Sequence, residues 1–216
     1  KKGKEYFSAH HSFIPAPTHG REATLFLQPW VTVRDAIASV PPIDGRKGRN
    51  SLPDFNPLHK VPPLDDKKYT WVLNTPEGET AFNNQCVNPN CGYQGNQRHG
   101  AKKVSGINQA CNDTPLYCEK CGALLPRPYV EDKDGTLRLM KGFVSAYKRM
   151  RWDEPASTLT QNFQFACSDN KLHPSQHRVL SIYEALILQS ITNYPYSFVV
   201  DGKMVRDGLI RDTIGE

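Results

Sequence analysis

Two close pairs of cysteines constrain this chain more than any other feature of its sequence. Cys86 and Cys91 have four residues between them, Cys118 and Cys121 have two, and 26 residues separate the pairs. Four thiolates arranged as a tetrahedron suit Zn²⁺. A glycine follows the second cysteine of each pair, where a backbone turn lets amide groups point at sulfur. The sequence therefore predicts a structural zinc site, closed to catalysis, formed by Cys86, Cys91, Cys118 and Cys121.

Two alternatives to this zinc site remain open. The four thiols are either buried and unliganded, or the Cys118-x-x-Cys121 pair is a redox centre, although a redox pair does not need the second pair of cysteines. Cys111 is an alternative ligand in place of Cys86, but six residues are an awkward spacing to Cys118. We therefore interpret Cys111 and Cys167 as small core residues.

The remaining composition excludes several classes of protein. No apolar run approaches the about 18–20 residues that cross a bilayer, and the N-terminus lacks the apolar core of a signal peptide. Paired cysteines without an export signal favour a reduced compartment, and we expect a prokaryotic cytoplasm. The net charge of +5 permits a phosphate-bearing partner without requiring one.

Local patterns predict the main helices. Thr32 and Asp35 have the spacing of a capping box, which predicts a short helix from Val33 that ends before the Pro41-Pro42 pair. Ser181 and Glu184 repeat that pattern in front of an apolar face. They predict a second helix, which we expect Pro195 to end.

Other segments carry weaker signals. Residues 69–73 are rich in aromatic and β-branched side chains and predict a strand. Residues 198–202 predict a strand followed by a turn, and residues 205–210 predict a short helix. Fourteen of the 17 prolines precede residue 130, which predicts long ordered loops in that part of the chain.

Motifs at both ends of the chain resemble one enzyme family. Residues 171–189 contain His-Pro-x-x-x-Arg-x-x-Ser-x-x-Glu, from His173 to Glu184, and residues 151–160 precede it with a Thr-Leu pair. Together they resemble the end of the target-recognition domain and the next motif helix of DNA (cytosine-5)-methyltransferases. Residues 17–37 resemble the segment after that family's last catalytic-side motif, and residues 214–216 resemble the start of its Ile-Gly-Asn motif.

The resemblance also shows what this chain lacks. It contains no Phe-x-Gly-x-Gly cofactor loop, no Pro-Cys nucleophile, no Glu-Asn-Val and no Gln-x-Arg-x-Arg strand. It departs from the family in the longer segment between Gln189 and Tyr194 and in Glu216, where Asn is common. The resemblance therefore implies the recognition half of an enzyme that flips a cytosine and methylates C5 from S-adenosylmethionine. It implies no catalytic residue here, and we expect this fragment alone to be inactive.

From the motifs and their order we predict an α+β fold with three parts. Residues 1–43 follow the last catalytic-side motif, and residues 44–165 form a loop-rich, mostly β target-recognition domain with a zinc ribbon at about 84–125. Residues 166–216 form a helix and a segment that returns to an α/β catalytic domain. The implied partners are double-stranded DNA and the N-terminal catalytic part of the same parent chain, with no membrane.

The resemblance also assigns candidate contacts. It implies that Thr158 and Leu159 lie against DNA, and Gln161 and Asn162 carry the paired donor and acceptor that suit adenine edges. A Thr-rich strand leading into a polar turn is the alternative. Arg178 matches an arginine that orients the recognition domain, with a plain surface arginine as the alternative. Candidate phosphate contacts lie in three basic clusters: Arg46, Lys47 and Arg49; Arg98, His99, Lys102 and Lys103; Lys148, Arg149 and Arg151.

We interpret His173 and His177 as hydrogen-bonded packing residues and not as metal ligands. A non-enzymatic zinc-ribbon DNA-binding module and a zinc-stapled protein-interaction domain are the competing functions. The resemblance also suggests a restriction-modification system, without specifying the bases that are read or the presence of a restriction enzyme.

Overall fold

The computed structural model describes residues 17–104, 107–110, 113–168 and 170–215, and for residues 101–104 and 107–110 it describes the backbone only. The helices are α1 (Val33–Ile37), α2 (Asp66–Leu73), α3 (Ile182–Leu188) and α4 (Asp207–Ile214), with 3₁₀ turns at Ala81–Asn83 and Ile191–Asn193. The strands are β1 (His19–Gly20), β2 (Gln28–Pro29), β3 (Ala101–Val104), β4 (Ile107–Ala110), β5 (Tyr129–Glu131), β6 (Leu137–Leu139), β7 (Val199–Val200) and β8 (Lys203–Met204).

The strands pair into small sheets of two. β1 and β2 are parallel, whereas β3–β4, β5–β6 and β7–β8 are antiparallel neighbours in the chain. Long loops join these ribbons, as the proline content predicts. The mixture of helices and small sheets agrees with the expected α+β class, while the zinc ribbon stays a prediction.

Both predicted capping boxes are confirmed. At the start of α1, the Asp35 amide donates to the Thr32 hydroxyl at 3.2 Å and the Asp35 carboxylate accepts from the Thr32 amide at 2.9 Å. Ser181 and Glu184 repeat the arrangement at α3, at 3.1 and 2.8 Å. Each box satisfies two amides that a helix start leaves without partners. α3 ends earlier than predicted, because Ser190 adopts a left-handed φ of 58° before the 3₁₀ turn.

The strand predicted at residues 69–73 is wrong, because these residues form the second half of α2. The Asp65 side chain caps this helix by accepting from the Lys68 amide at 2.8 Å. Trp71 and Val72 are then buried in the core, with 3% and 0% exposure. Capping and tertiary burial together outweigh the β preference of the individual side chains.

Replacing the α2 cap tests this explanation. We expect Asp65→Ala to lower the free energy of unfolding by about 1 kcal/mol, because the Lys68 amide loses its acceptor. Denaturant unfolding monitored by circular dichroism measures the difference. Asp54→Ala, which removes an exposed carboxylate outside any helix, is the matched control, and equal losses for the two variants would contradict the capping role.

The strand, turn and helix predicted near the C-terminus are confirmed, but the structure places their bounds differently. β7 and β8 form a hairpin around Asp201 and Gly202, both with positive φ. The last helix, α4, begins at Asp207 and reaches Ile214, four residues beyond the predicted end. It lies beside α3, and its buried Ile210 and Ile214 join the same core.

Two apolar cores organise the described residues. The first lies between α1, α3 and α4 and includes Leu159 and Phe163 from the loop before α3. The second surrounds Trp71 of α2 and Phe82, with Tyr147 packed edge-on to both rings. A small third cluster contains Cys86, Cys118 and Leu125. None of the helices in the described ranges has the length and apolarity of a membrane span.

Candidate metal centre and nucleic-acid interface

The four predicted cysteines come together at one point. The Sγ atoms of Cys86, Cys91, Cys118 and Cys121 all lie within 4.8 Å of one another. The Cys86–Cys121 and Cys91–Cys118 sulfur distances are 3.7 and 3.9 Å. Tetrahedral Zn²⁺ with Zn–S bonds of about 2.3 Å places its sulfur ligands about 3.8 Å apart. The ligand set and its spacing therefore fit this metal.

Each cysteine pair sits on a tight turn of the kind that the glycines predict. The Asn88 carbonyl accepts from the amides of Cys91 and Gly92 at 2.9 and 3.0 Å, and the Cys118 carbonyl accepts from Gly122 at 2.8 Å. Gly92 and Gly122 adopt φ values of 57° and 69°. Side chains rarely tolerate this left-handed region, which explains the glycine after each second cysteine.

The electrostatics of the cluster favour a bound cation. Desolvation opposes ionisation of Cys118, but the backbone amides of Cys121 and Lys120 outweigh it and lower the pKa of Cys118 to about 6. For Cys91, an amide at Tyr93 favours the thiolate, yet desolvation and the neighbouring thiols raise its pKa to about 11. Because neighbouring thiolates repel one another, a bound cation would favour the thiolate form at this cluster.

A buried arginine that the sequence analysis did not identify connects the two cysteine-bearing turns, residues 86–92 and 118–122, to the core. Arg127 has 0% exposure, and it donates to the carbonyls of Asn84 at 2.8 Å and Pro115 at 2.7 Å. These residues lie just before Cys86 and Cys118. The Asn84 amide in turn donates to the Trp71 carbonyl in α2 at 2.8 Å. The two cysteine-bearing segments are therefore joined to the second core by buried hydrogen bonds.

The other two cysteines have different outcomes. Cys111 lies outside the described residues, so its interpretation as a core residue stays a prediction. Cys167 is an exposed free thiol, which corrects its interpretation as a core residue. It lies within a turn in which the Ser168 amide donates to the Phe165 carbonyl at 2.9 Å. That turn faces the side chain outward.

The residues predicted to contact DNA are only partly exposed. Thr158, Gln161 and Asn162 are exposed, in an extended loop and the turn that follows it, not in a strand. Arg151 is also exposed, with Glu154 at 3.6 Å. Leu159 is 4% exposed and packs in the first core, which corrects its placement at the DNA surface. Lys102 and Lys103 lie in β3, and their side chains are outside the description.

Arg149 is buried in the interior, which corrects its prediction as a phosphate contact. It is 2% exposed and donates to the carbonyls of Thr75, Val72 and His173 at 2.6–2.7 Å, and to that of Gln176. Burial lowers its pKa to about 10. His99 is likewise buried, stacked on Phe82 at 4.6 Å. Both side chains are fully committed to internal contacts.

Arg178 is a fully buried arginine, so its alternative as a plain surface residue is wrong. It forms a bidentate ion pair with Glu184, with both N–O distances at 2.6 Å. It also donates to the carbonyls of Ile43 and Val179 at 3.2 and 3.0 Å. The pair joins α3 to the loop after α1. Its role in orienting a further domain stays a proposal.

The two histidines of this motif pack as predicted. The His173 ring is 1% exposed, and its Nδ1 accepts from the amides of Ser175 and Gln176 at 3.2 and 3.0 Å. Desolvation lowers the pKa of His173 to about 3, and the Arg178 charge adds to this. His177 contacts Arg149 and the ring of Tyr69. These contacts are those of packing residues.

The buried histidine predicts an acid-sensitive fold. Between about pH 6.5 and 3 the unfolded chain protonates His173 while the folded chain does not, so stability falls as pH falls through this range. Glu184 adds to this loss of stability below pH 4.5. Its folded-state pKa is about 2, because the charge of the paired Arg178 outweighs desolvation.

Denaturant unfolding from pH 7 to 4 should show a shallower dependence of the unfolding free energy on pH for His173→Gln than for the wild type. His19→Gln, at an exposed site, should keep the wild-type slope, and equal slopes for all three proteins would contradict the assignment.

Comparison with known proteins gives one informative match. No family model matches the chain. Over 195 residues it is 26% identical to Type II methyltransferase M1.HgaI of Avibacterium volantium, an alignment that includes 86% of this chain. The chain spans 40% of the length of that curated relative. The similarity supports a relationship to methyltransferases.

Proposed function

We propose that this chain is the DNA-recognition half of a DNA (cytosine-5)-methyltransferase. The observation that carries the proposal is the 26% identity to a Type II methyltransferase along most of this chain, which spans only part of that relative. The motif order from residue 151 to residue 189 supports the cytosine-5 class. The catalytic thiolate and the S-adenosylmethionine pocket then belong to another part of the parent chain, and S-adenosylmethionine supplies the methyl group when it is bound there.

In this proposal the chain grips DNA and reads bases beside the target cytosine. Extruding a base costs a few kcal/mol of stacking and pairing, and contacts from a recognition domain offset that cost. The exposed side chains of Thr158, Gln161 and Asn162 supply the hydroxyl and amide groups for such contacts. The exposed turn with Arg46, Lys47 and Arg49 supplies charge for phosphates.

Exposed apolar side chains near both ends of the described chain support the proposed catalytic partner. Leu25 and Phe26 are 90% and 86% exposed, and Val200 and Leu209 are 61% and 56% exposed. Contiguous groups of exposed apolar side chains, unlike isolated ones, commonly mark an interaction surface. We propose that the N-terminal catalytic part of the same parent chain covers them.

We also propose that the four cysteines hold one structural Zn²⁺. The ligand atoms have the spacing of a tetrahedral site, and four protein ligands leave no open position for substrate. The metal would then stabilise the fold of the lobe that carries Arg98. We propose that this arginine lies beside the DNA-facing surface. This lobe would extend the contact with DNA or serve as a staple.

Methylation in cells tests the proposed activity directly. We expect bisulfite sequencing of DNA from cells that make the full-length parent protein to reveal methylated cytosines within one recurring sequence. In the purified full-length protein, Gln161→Ala with Asn162→Ala should weaken binding to a duplex carrying that sequence by at least tenfold, because amide contacts to base edges are lost. Asn193→Ala, at an exposed amide elsewhere, is the control. Unmodified DNA in cells that make soluble parent protein would contradict the proposal.

A non-enzymatic zinc-ribbon DNA-binding module is the second candidate. It is favoured by the cysteine cluster together with the absence of a Pro-Cys dipeptide and a glycine-rich cofactor loop from this sequence. The reading frame of the parent distinguishes the two. The enzyme requires both motifs before residue 1, whereas the binding module requires neither.

A further inference from the structure

The exposed residues of the proposed DNA contact belong to a segment that is anchored from several sides. In residues 157–161, the Leu159 side chain is 4% exposed and points into the first core, while Thr158 and Gln161 are exposed on either side of it. The segment has no regular secondary structure. Its conformation therefore depends on contacts with the rest of the protein and not on a helix or a strand.

The first anchor is a buried lysine. Lys171 is 1% exposed, and its ammonium group donates to the Thr158 carbonyl at 2.5 Å and to the Ser157 hydroxyl at 3.0 Å. A charged donor makes these bonds stronger than neutral ones. The backbone of Thr158 is thereby held from the inside while its side chain faces outward.

The second anchor is the backbone of Gly215. Its carbonyl accepts from the backbone amide of Gln161 at 2.8 Å. Its own backbone amide donates to the Arg211 carbonyl at 3.0 Å, at the end of α4. The Gln189 side chain holds the preceding residue by donating to the Ile214 carbonyl at 3.1 Å. The turn after α4 is thus fixed to both α3 and the exposed segment.

There is no space for a side chain at this contact. A Cβ atom on Gly215 would lie 2.1 Å from the Gln161 nitrogen and 2.2 Å from the Thr160 carbonyl carbon. Both neighbours are backbone atoms, so relief requires a shift of the chain by about 1 Å. The φ of Gly215 is −113°, an ordinary value, so the requirement for glycine here is one of space.

We infer that Gly215 is a positioning residue for the base-contacting segment, an inference that rests on the proposed function. The close approach of the two backbones fixes the position from which Gln161 presents its side-chain amide. Lys171 fixes the backbone position of Thr158 in the same segment. A displacement of about 1 Å is enough to lose a directional contact with a base edge. Gly215 is itself buried, so it acts through Gln161 and not through its own contact with a base.

The Gly215→Ala variant tests the inference in the full-length protein. We expect at least a tenfold loss of affinity for an unmethylated duplex that carries the recognition sequence, unchanged affinity for unrelated duplexes and an unchanged salt slope, because phosphate contacts persist. Gly208→Ala is the matched control, since a Cβ there meets only a flexible Arg211 nitrogen at 3.9 Å. Wild-type discrimination in Gly215→Ala would overturn the inference.

Hydrogen exchange separates failure of this inference from failure of the proposed function. In the wild type the backbone amide hydrogen of Gln161 should exchange slowly. In Gly215→Ala it should exchange at least tenfold faster, whether or not the protein binds DNA. Retained protection would overturn the inference on its own. A wild type that shows no sequence preference while the exchange difference appears would overturn only the proposed function.

A second variant covers the case in which Gly215→Ala does not fold. Lys171→Met keeps the buried side-chain length and removes both hydrogen bonds to residues 157 and 158. We expect it to reduce discrimination between recognition and unrelated sequences at least fivefold, with wild-type metal content. Unchanged discrimination in a folded Lys171→Met protein would count against an anchored segment.

Discussion

Removal of the proposed zinc ion is expected to unfold the lobe around the four cysteines. Structural zinc commonly supplies about 10–16 kcal/mol of apparent binding free energy, which is also folding free energy. Among the residues whose side chains are described, the apolar cluster beside the sulfur atoms contains Leu125 and the partly buried Tyr93 besides cysteines. Such a small core cannot replace that contribution. We therefore expect Cys118→Ser or a chelator to unfold this lobe and to remove its resistance to proteolysis.

Elemental analysis and limited proteolysis measure this effect. The wild type should contain about one zinc per chain, and Cys118→Ser close to none, with new cleavage between residues 92 and 118. Cys167→Ser changes an exposed cysteine outside the cluster and should keep the metal and the wild-type digest. Carefully reduced wild-type protein without bound metal would contradict the zinc site and favour the alternative of unliganded thiols.

Breaking the buried Arg178–Glu184 pair is expected to cost about 3–5 kcal/mol of the free energy of unfolding. Glu184→Gln keeps an acceptor for the Ser181 amide, so the α3 cap survives while the charge is removed. Both partners are 0% exposed in their side chains. The guanidinium of Arg178 is then left buried without a counter-charge, which is the source of the large penalty.

Denaturant unfolding of matched variants distinguishes this pair from an ordinary surface contact. Arg138→Met breaks the exposed pair with Asp132, whose side chains are 53% and 44% exposed, and should change stability only slightly. Arg178→Met with Glu184→Met should recover part of the loss of Glu184→Gln, because no unpaired charge remains. Similar small losses for all variants would show that the buried pair is not a main determinant of stability.

Several features of the fold follow from short sequence patterns because the interactions are themselves short-range. The capping boxes join residues three positions apart, so Thr32–Asp35 and Ser181–Glu184 are recognisable before any tertiary contact is known. The turn at each second cysteine is also local, and it requires only a glycine at positive φ. The hairpin at residues 199–204 follows from its Asp-Gly turn in the same way.

Other features depended on distant parts of the chain. The segment 69–73 has strand-forming residues, but Asp65 caps a helix there and the second core buries it. Burial of Leu159 and exposure of Cys167 depend equally on which surfaces their loops meet. No period-2 or period-3.6 pattern reports such contacts in a loop.

By itself, the sequence determined which four cysteines cluster, the starts of α1 and α3 and the motif order that supports a methyltransferase relationship. Only the tertiary structure decided which basic residues face solvent. Arg149 and Arg151 are two residues apart, yet Arg149 is enclosed by carbonyls from residues 72–75 and 173–176 while Arg151 is exposed. A guanidinium is stable in the interior only where folding gathers enough acceptors around it, and those acceptors come from segments far apart in the chain.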